Sequence, residues 1–122
     1  MGSAKLLFDR FPERPIAYYP VYTRICESLT AGILLSQVLY WGKVMQWKEF
    51  YKTDQDLRNE VCMGRHEFSA AKKKIQKLGF VTLKKKGWPA RTFYCVRTEK
   101  VIQAISQLPE YQPTVEVSEK RT

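Results

Sequence analysis

Residues 53–96 read TDQDLRNEVCMGRHEFSAAKKKIQKLGFVTLKKKGWPARTFYCV, and two changes of pattern inside them decide the fold. Thr53 is suited to cap a helix, and Asp54 and Asp56 fall in its first turn, where the helix dipole favours negative charge. That helix is expected to end near Val61, before the break Cys62-Met63-Gly64. Phe68, Ala71, Ile75 and Leu78 then recur at spacings of three, four and three, which is the apolar stripe of a second helix from Arg65 to Leu78. Gly79 stands just beyond it, where a left-handed residue ends a helix. Two helices joined by a short glycine-containing turn carry the helix-turn-helix signature.

After Gly79 the helical period is lost. Phe80-Val81-Thr82-Leu83 running into Lys84-Lys85-Lys86 predicts a strand, Gly87-Trp88-Pro89-Ala90 a turn, and Arg91 to Val96 a second strand rich in aromatic and β-branched residues. A last helix is expected from Thr98 to Leu108, with Val101, Ile102 and Ile105 on one side. The order helix, helix, basic hairpin, helix predicts an α+β fold, mostly helical: a winged helix-turn-helix with a two-stranded basic wing and a C-terminal helix.

Upstream, Val21, Ile25 and Leu29 fall at intervals of four and predict a helix opened by Pro20. Thr30 is read as the cap of a helix reaching Val44, apolar around so much of its circumference that it forms the buried hub. Gln46 to Lys52 reads as a loop and a short strand whose aromatics, Phe50 and Tyr51, with Trp47, help to close the core. The expected organisation is an N-terminal arm over 1–14, one domain over 15–108 and a flexible tail over 109–122. A chain of 122 residues suits one such core.

The formal charge is +9, and it is concentrated. Residues 64–100 hold 11 basic and 2 acidic side chains, so the remainder of the chain is balanced. Uncompensated positive charge of this size implies a polyanionic partner. Three widely spaced cysteines, Cys26, Cys62 and Cys95, with one histidine and no CxxC pair, argue against a disulfide framework and a zinc site. No apolar run reaches the ~18 residues of a membrane span. The expectation is a soluble cytoplasmic protein without metal or other cofactor. Asp54 and Asp56 are explained by the helix start, no nucleophile and base are paired, and no glycine-rich phosphate loop is present, so no enzyme is expected.

On a helical wheel the arc opposite Phe68 and Ile75 carries His66, Ser69, Ala70, Lys73, Gln76 and Lys77, with Arg65 and Lys72 on one shoulder and Lys74 on the other. Arginine, lysine, glutamine and serine can hydrogen-bond base edges in the major groove, and an alanine methyl can touch thymine. Lys72, Lys74 and Lys77, with Lys84, Lys85, Lys86 and Arg91 on the hairpin, suit phosphates, which position a protein without reading sequence. Six to ten such contacts would make affinity fall about a thousandfold or more between low and near-physiological salt. Each basic run alone has a plainer explanation: a solvated helix face, or a lysine edge that blocks strand pairing. Their coincidence on neighbouring elements favours duplex DNA. Single-stranded binding would need exposed aromatics among the basic residues, for which Trp88 and Tyr94 are the candidates. Trp88 reads equally as a wedge against the sugar-phosphate backbone or as a stiffener of the turn through its stacking with Pro89.

The run from Ile16 to Val96 resembles the N-terminal winged-helix domain of phage and plasmid replication proteins, the replisome-organiser or DnaD-like group. The resemblance rests on Tyr18-Tyr19-Pro20, on Ile33-Leu34-Leu35-Ser36-Gln37-Val38-Leu39-Tyr40-Trp41, on Tyr51-Lys52-Thr53, on Lys77-Leu78-Gly79-Phe80-Val81 and on Gly87-Trp88-Pro89-Ala90-Arg91. It covers about two-thirds of the chain. It implies a role in replication initiation, binding to repeated sites on double-stranded DNA, self-association side by side and contact with replication proteins. The alternatives are a transcriptional regulator of a mobile element and a winged-helix protein-interaction module that leaves DNA alone.

Overall fold

The computed structural model of the chain describes residues 15–111. The arm expected over 1–14 and the tail beyond 111 lie outside these residues. Among the described residues there are five α-helices, α1 (Pro20–Cys26), α2 (Leu29–Val44), α3 (Asp54–Val61), α4 (Arg65–Lys77) and α5 (Thr98–Ser106). Three strands, β1 (Phe50–Tyr51), β2 (Val81–Lys86) and β3 (Arg91–Val96), form one antiparallel sheet in the order β1-β3-β2. The fold is α+β and mostly helical. Pro109–Tyr111, expected to begin the tail, forms a short 3-10 turn after α5.

α2 is the hub. Ala31, Leu34, Leu35, Val38 and Leu39 are buried, and burying each of the larger side chains is worth about 1.5–3 kcal/mol. Its cap is Ser28, not Thr30: the Ser28 hydroxyl accepts from the Ala31 amide at 3.2 Å, and Thr30 lies inside the first turn. Leu29, expected on the stripe of the preceding helix, starts α2 instead, because Glu27 turns into the left-handed region and ends α1 at Cys26. α1 then lies almost against the α2 backbone at Gly32, where a Cβ would fall 2.5 Å from the Thr23 Cα.

α3 and α4 behave as their patterns demand. The Thr53 hydroxyl accepts from the Asp56 amide at 3.0 Å, and Cys62 closes α3 in the left-handed region. After Met63, the Glu67 carboxylate accepts from the Gly64 amide at 3.2 Å and fixes the start of α4. Phe68, Ala71 and Ile75 face α2 in the core, whereas Leu78, expected beside them, is the C-terminal cap of α4 and 39 % exposed. Gly79 then takes φ +85 and sends the chain into β2.

A partly buried carboxylate network ties α3 to α2. Glu60 Oε1 accepts from Gln37 Nε2 and Trp41 Nε1, each at 2.7 Å, and Glu60 Oε2 accepts from Lys52 Nζ at 2.5 Å. Burial would raise the Glu60 carboxyl, but these hydrogen bonds together outweigh it and hold the group below the ordinary carboxylate range.

Candidate nucleic-acid interface

The surface of α4 is built by its own period. With Phe68, Ala71 and Ile75 turned inward, the opposite arc presents Arg65, His66, Ser69, Ala70, Lys73, Gln76 and Lys77, all exposed. That arc spans about 140° at ~100° per residue and holds no carboxylate, since Glu67 lies off its edge at the Gly64 amide. A shallow cleft of about 430 Å³ runs between α3, α4 and β2, bringing Arg65, Ser69, Lys73 and Gln76 together with Arg58, with the Asp54 carboxylate beside Lys72, and with Leu83 of the hairpin. Arg58, which the sequence pattern did not single out, is held there by a bond from its Nε to the Met63 carbonyl at 3.5 Å.

Lys72 is placed differently from its neighbour. Its Nζ donates to Asp54 Oδ1 at 2.7 Å and lies about 6 Å from the rings of Phe68 and Tyr94. It therefore bridges α4 to the first turn of α3.

Strand alternation divides the hairpin lysines between two faces. Val81, Leu83 and Lys85 share the inner face with Tyr94 and Val96, while Lys84 pairs in register with Phe93 and Lys86 with Arg91 on the outer face. On the inner side Phe50 stacks on Tyr94, with ring centroids 5.5 Å apart, and Leu83 reaches the α4 cleft. Lys85 thus continues on the side of α4. On the outer side Lys84 and Lys86 both pair with Glu49, at 3.8 Å for Lys84, and Arg91 lies 5.2 Å from the Tyr51 ring. Hydrogen bonding to Lys86 and the charges of both lysines hold the Glu49 carboxyl below its usual range. Of the three hairpin lysines, only Lys85 therefore lies on the side of α4.

The aromatics are sorted by the same alternation. Tyr94, a candidate for base stacking, is completely buried, and its hydroxyl has no hydrogen-bond partner. Desolvation by that burial pushes the phenol well above its ordinary value, with the charge of Asp54 adding to the effect. Tyr51, read as a core residue, is instead 41 % exposed, and Trp88 at the hairpin tip is 97 % exposed. Trp47, also expected to close the core, is partly exposed but packs its ring over Gly42. Cys26 is buried, and the thiol is pushed up to about 12 by desolvation; Cys62 is exposed and Cys95 half-buried.

Among the described residues, no cluster of histidine, cysteine or carboxylate side chains is arranged to hold a metal ion, and no helix is long and apolar enough to cross a membrane. Comparison of the chain with protein-family models, curated proteins and solved structures gives no match in any of the three.

Proposed function

We propose that the chain is a non-enzymatic binder of double-stranded DNA, with α3 and α4 as a helix-turn-helix and the β2–β3 hairpin as its wing. The observation that carries this reading is the carboxylate-free arc of α4. An α-helix fits the major groove, where Arg65 can read guanine, Gln76 adenine, and Ser69 or Lys73 base-edge acceptors, while the Ala70 methyl can meet thymine. His66 adds a polar contact near the start of the helix. In this reading Lys77, exposed in the last turn of α4, and Lys85, on the adjoining face of the hairpin, contact phosphates. A role in replication initiation for a phage or plasmid, with self-association on repeated sites, rests on the resemblance of Ile16 to Val96 and forms the narrower version of the proposal.

The test is the fluorescence anisotropy of a labelled random-sequence duplex titrated with the protein across a salt series. Because Lys84, Lys86 and Arg91 face away from α4, the phosphate candidates that remain are Lys72, Lys74, Lys77 and Lys85, and three or four contacts are expected in place of six to ten. Affinity should then fall roughly 40- to 150-fold for a fourfold rise in salt. No duplex binding at the lowest salt would overturn the proposal and make the α4 arc a docking surface for an acidic protein.

A further inference from the structure

We propose that the outer face of the sheet is a second nucleic-acid surface, one that stacks the unpaired bases of a single strand. The row across the strands is Tyr51, Phe93 and Lys84; beside it stand Lys86 and Arg91, and Trp88 projects from the tip. The rings of Tyr51 and Phe93 are 5.9 Å apart, Arg91 lies over Tyr51, and the Lys86 ammonium is 5.5 Å from the Phe93 centroid. A cleft of about 380 Å³ at the tip is bounded by Lys86, Trp88, Pro89, Arg91 and Phe93.

Three features point to unpaired bases. An almost fully exposed tryptophan contributes little to the core, yet offers a broad, rigid surface for stacking. The exposed Arg91 guanidinium beside Tyr51 extends the ring surface, and bases stack on arginine planes as well as on rings. Alternation of aromatic and cationic groups matches a strand in which bases and phosphates alternate, and every base has a π-face, so such a platform is indifferent to sequence. A duplex cannot use it, because its bases are already stacked on one another. Glu49 marks where the phosphates go: it accepts a bond from Lys86 and lies 3.8 Å from Lys84, so a phosphate would exchange for the carboxylate without leaving either lysine unpaired.

The experiment uses labelled single strands of about 15 nucleotides, oligo-dT and oligo-U, beside an abasic phosphodiester strand of equal length and charge and a duplex. Trp88→Ala and Tyr51→Ala are compared with Lys73→Ala, and melting curves accompany each variant. Trp88→Ala, which removes a side chain without core contacts, should weaken binding of the normal single strands about 5- to 150-fold and leave duplex binding within twofold. Lys73→Ala should show the reverse. Binding to oligo-dT, oligo-U or both supports the platform and identifies the sugar it accepts. Equal affinity for the abasic strand, or single-strand binding unchanged in both folded aromatic variants, overturns it. The α4 and sheet readings are measured with separate probes, so each can fail alone.

Discussion

Adjacent lysines on α4 should respond in opposite ways to removal. Lys72 has only 19 % of its side chain exposed and holds Asp54 at 2.7 Å, whereas Lys73 is exposed and has no carboxylate partner among the described residues. Asp54 is 56 % exposed, so the ion pair itself contributes no more than about 0.2–1 kcal/mol. The Lys72 ammonium also lies about 6 Å from the rings of Phe68 and Tyr94, and losing this contact with the ion pair brings the expected total for Lys72→Ala to about 1–1.5 kcal/mol. In a domain of this size that lowers Tm by about 4–10 °C. Lys73→Ala should leave Tm unchanged, within about 0.5 kcal/mol, and cost duplex affinity about 5- to 150-fold if it contacts a base. If it contacts a phosphate instead, the salt slope should flatten by about one. Differential scanning calorimetry and duplex anisotropy on the same two variants separate stability from binding. Equal losses of Tm, or equal losses of affinity, would refute the division between a bridging lysine and a reading one.

Two further predictions concern the packing that holds α3 and α4 in place. Glu60→Gln should destabilise the protein by about 1–2 kcal/mol near neutral pH, because three donors lose a charged acceptor. The folded-state pKa of Glu60 is lowered, so its contribution is complete above the unfolded carboxylate value of about 4.3 and is lost as pH falls through the folded value. Urea unfolding at neutral pH and at about pH 3 should therefore show the difference between variant and parent shrinking in acid, and a constant difference would contradict this linkage. Gly32→Ala places a Cβ 2.5 Å from the Thr23 Cα and 2.7 Å from its nitrogen, so α1 must move. The urea midpoint should drop by the equivalent of about 1–3 kcal/mol, against the gain of about 0.5–1 kcal/mol that this exchange brings in an exposed helix.

The helices and the hairpin were legible because each rests on local chemistry: Thr53 capping α3, the Phe68-Ala71-Ile75 spacing, Gly79 at positive φ. The misplaced start of α2 shows where local chemistry runs out. Ser28 and Thr30 are both competent caps, and the choice between them depends on Glu27 entering the left-handed region, which a residue other than glycine seldom signals. The state of the lysines was less accessible still. Asp54 lies 18 residues from Lys72, and Glu49 lies 37 from Lys86, so only the tertiary fold decides which cations are already paired.

Strand parity is the step on which the candidate surfaces turn. Phe50-Tyr51 and Phe93-Tyr94 are each a pair of neighbouring aromatics, so alternation shows that one of each pair faces inward but not which. The register settles both at once: Phe50 opposite Tyr94 is buried, so Tyr51 opposite Phe93 must face outward. The β2 register then carries Lys84 and Lys86 to the side of Phe93 and leaves Lys85 on the side of Leu83 and α4. A slip of one residue in β2 would exchange these sets, moving two lysines towards α4 and leaving one beside Glu49. The cations of α4 with Lys85 and those of the outer sheet face therefore form two separate groups, and Glu49 partly neutralises the outer one. An assay that reads only total affinity for a polyanion would merge them. Separating them requires probes that differ in base stacking at equal charge.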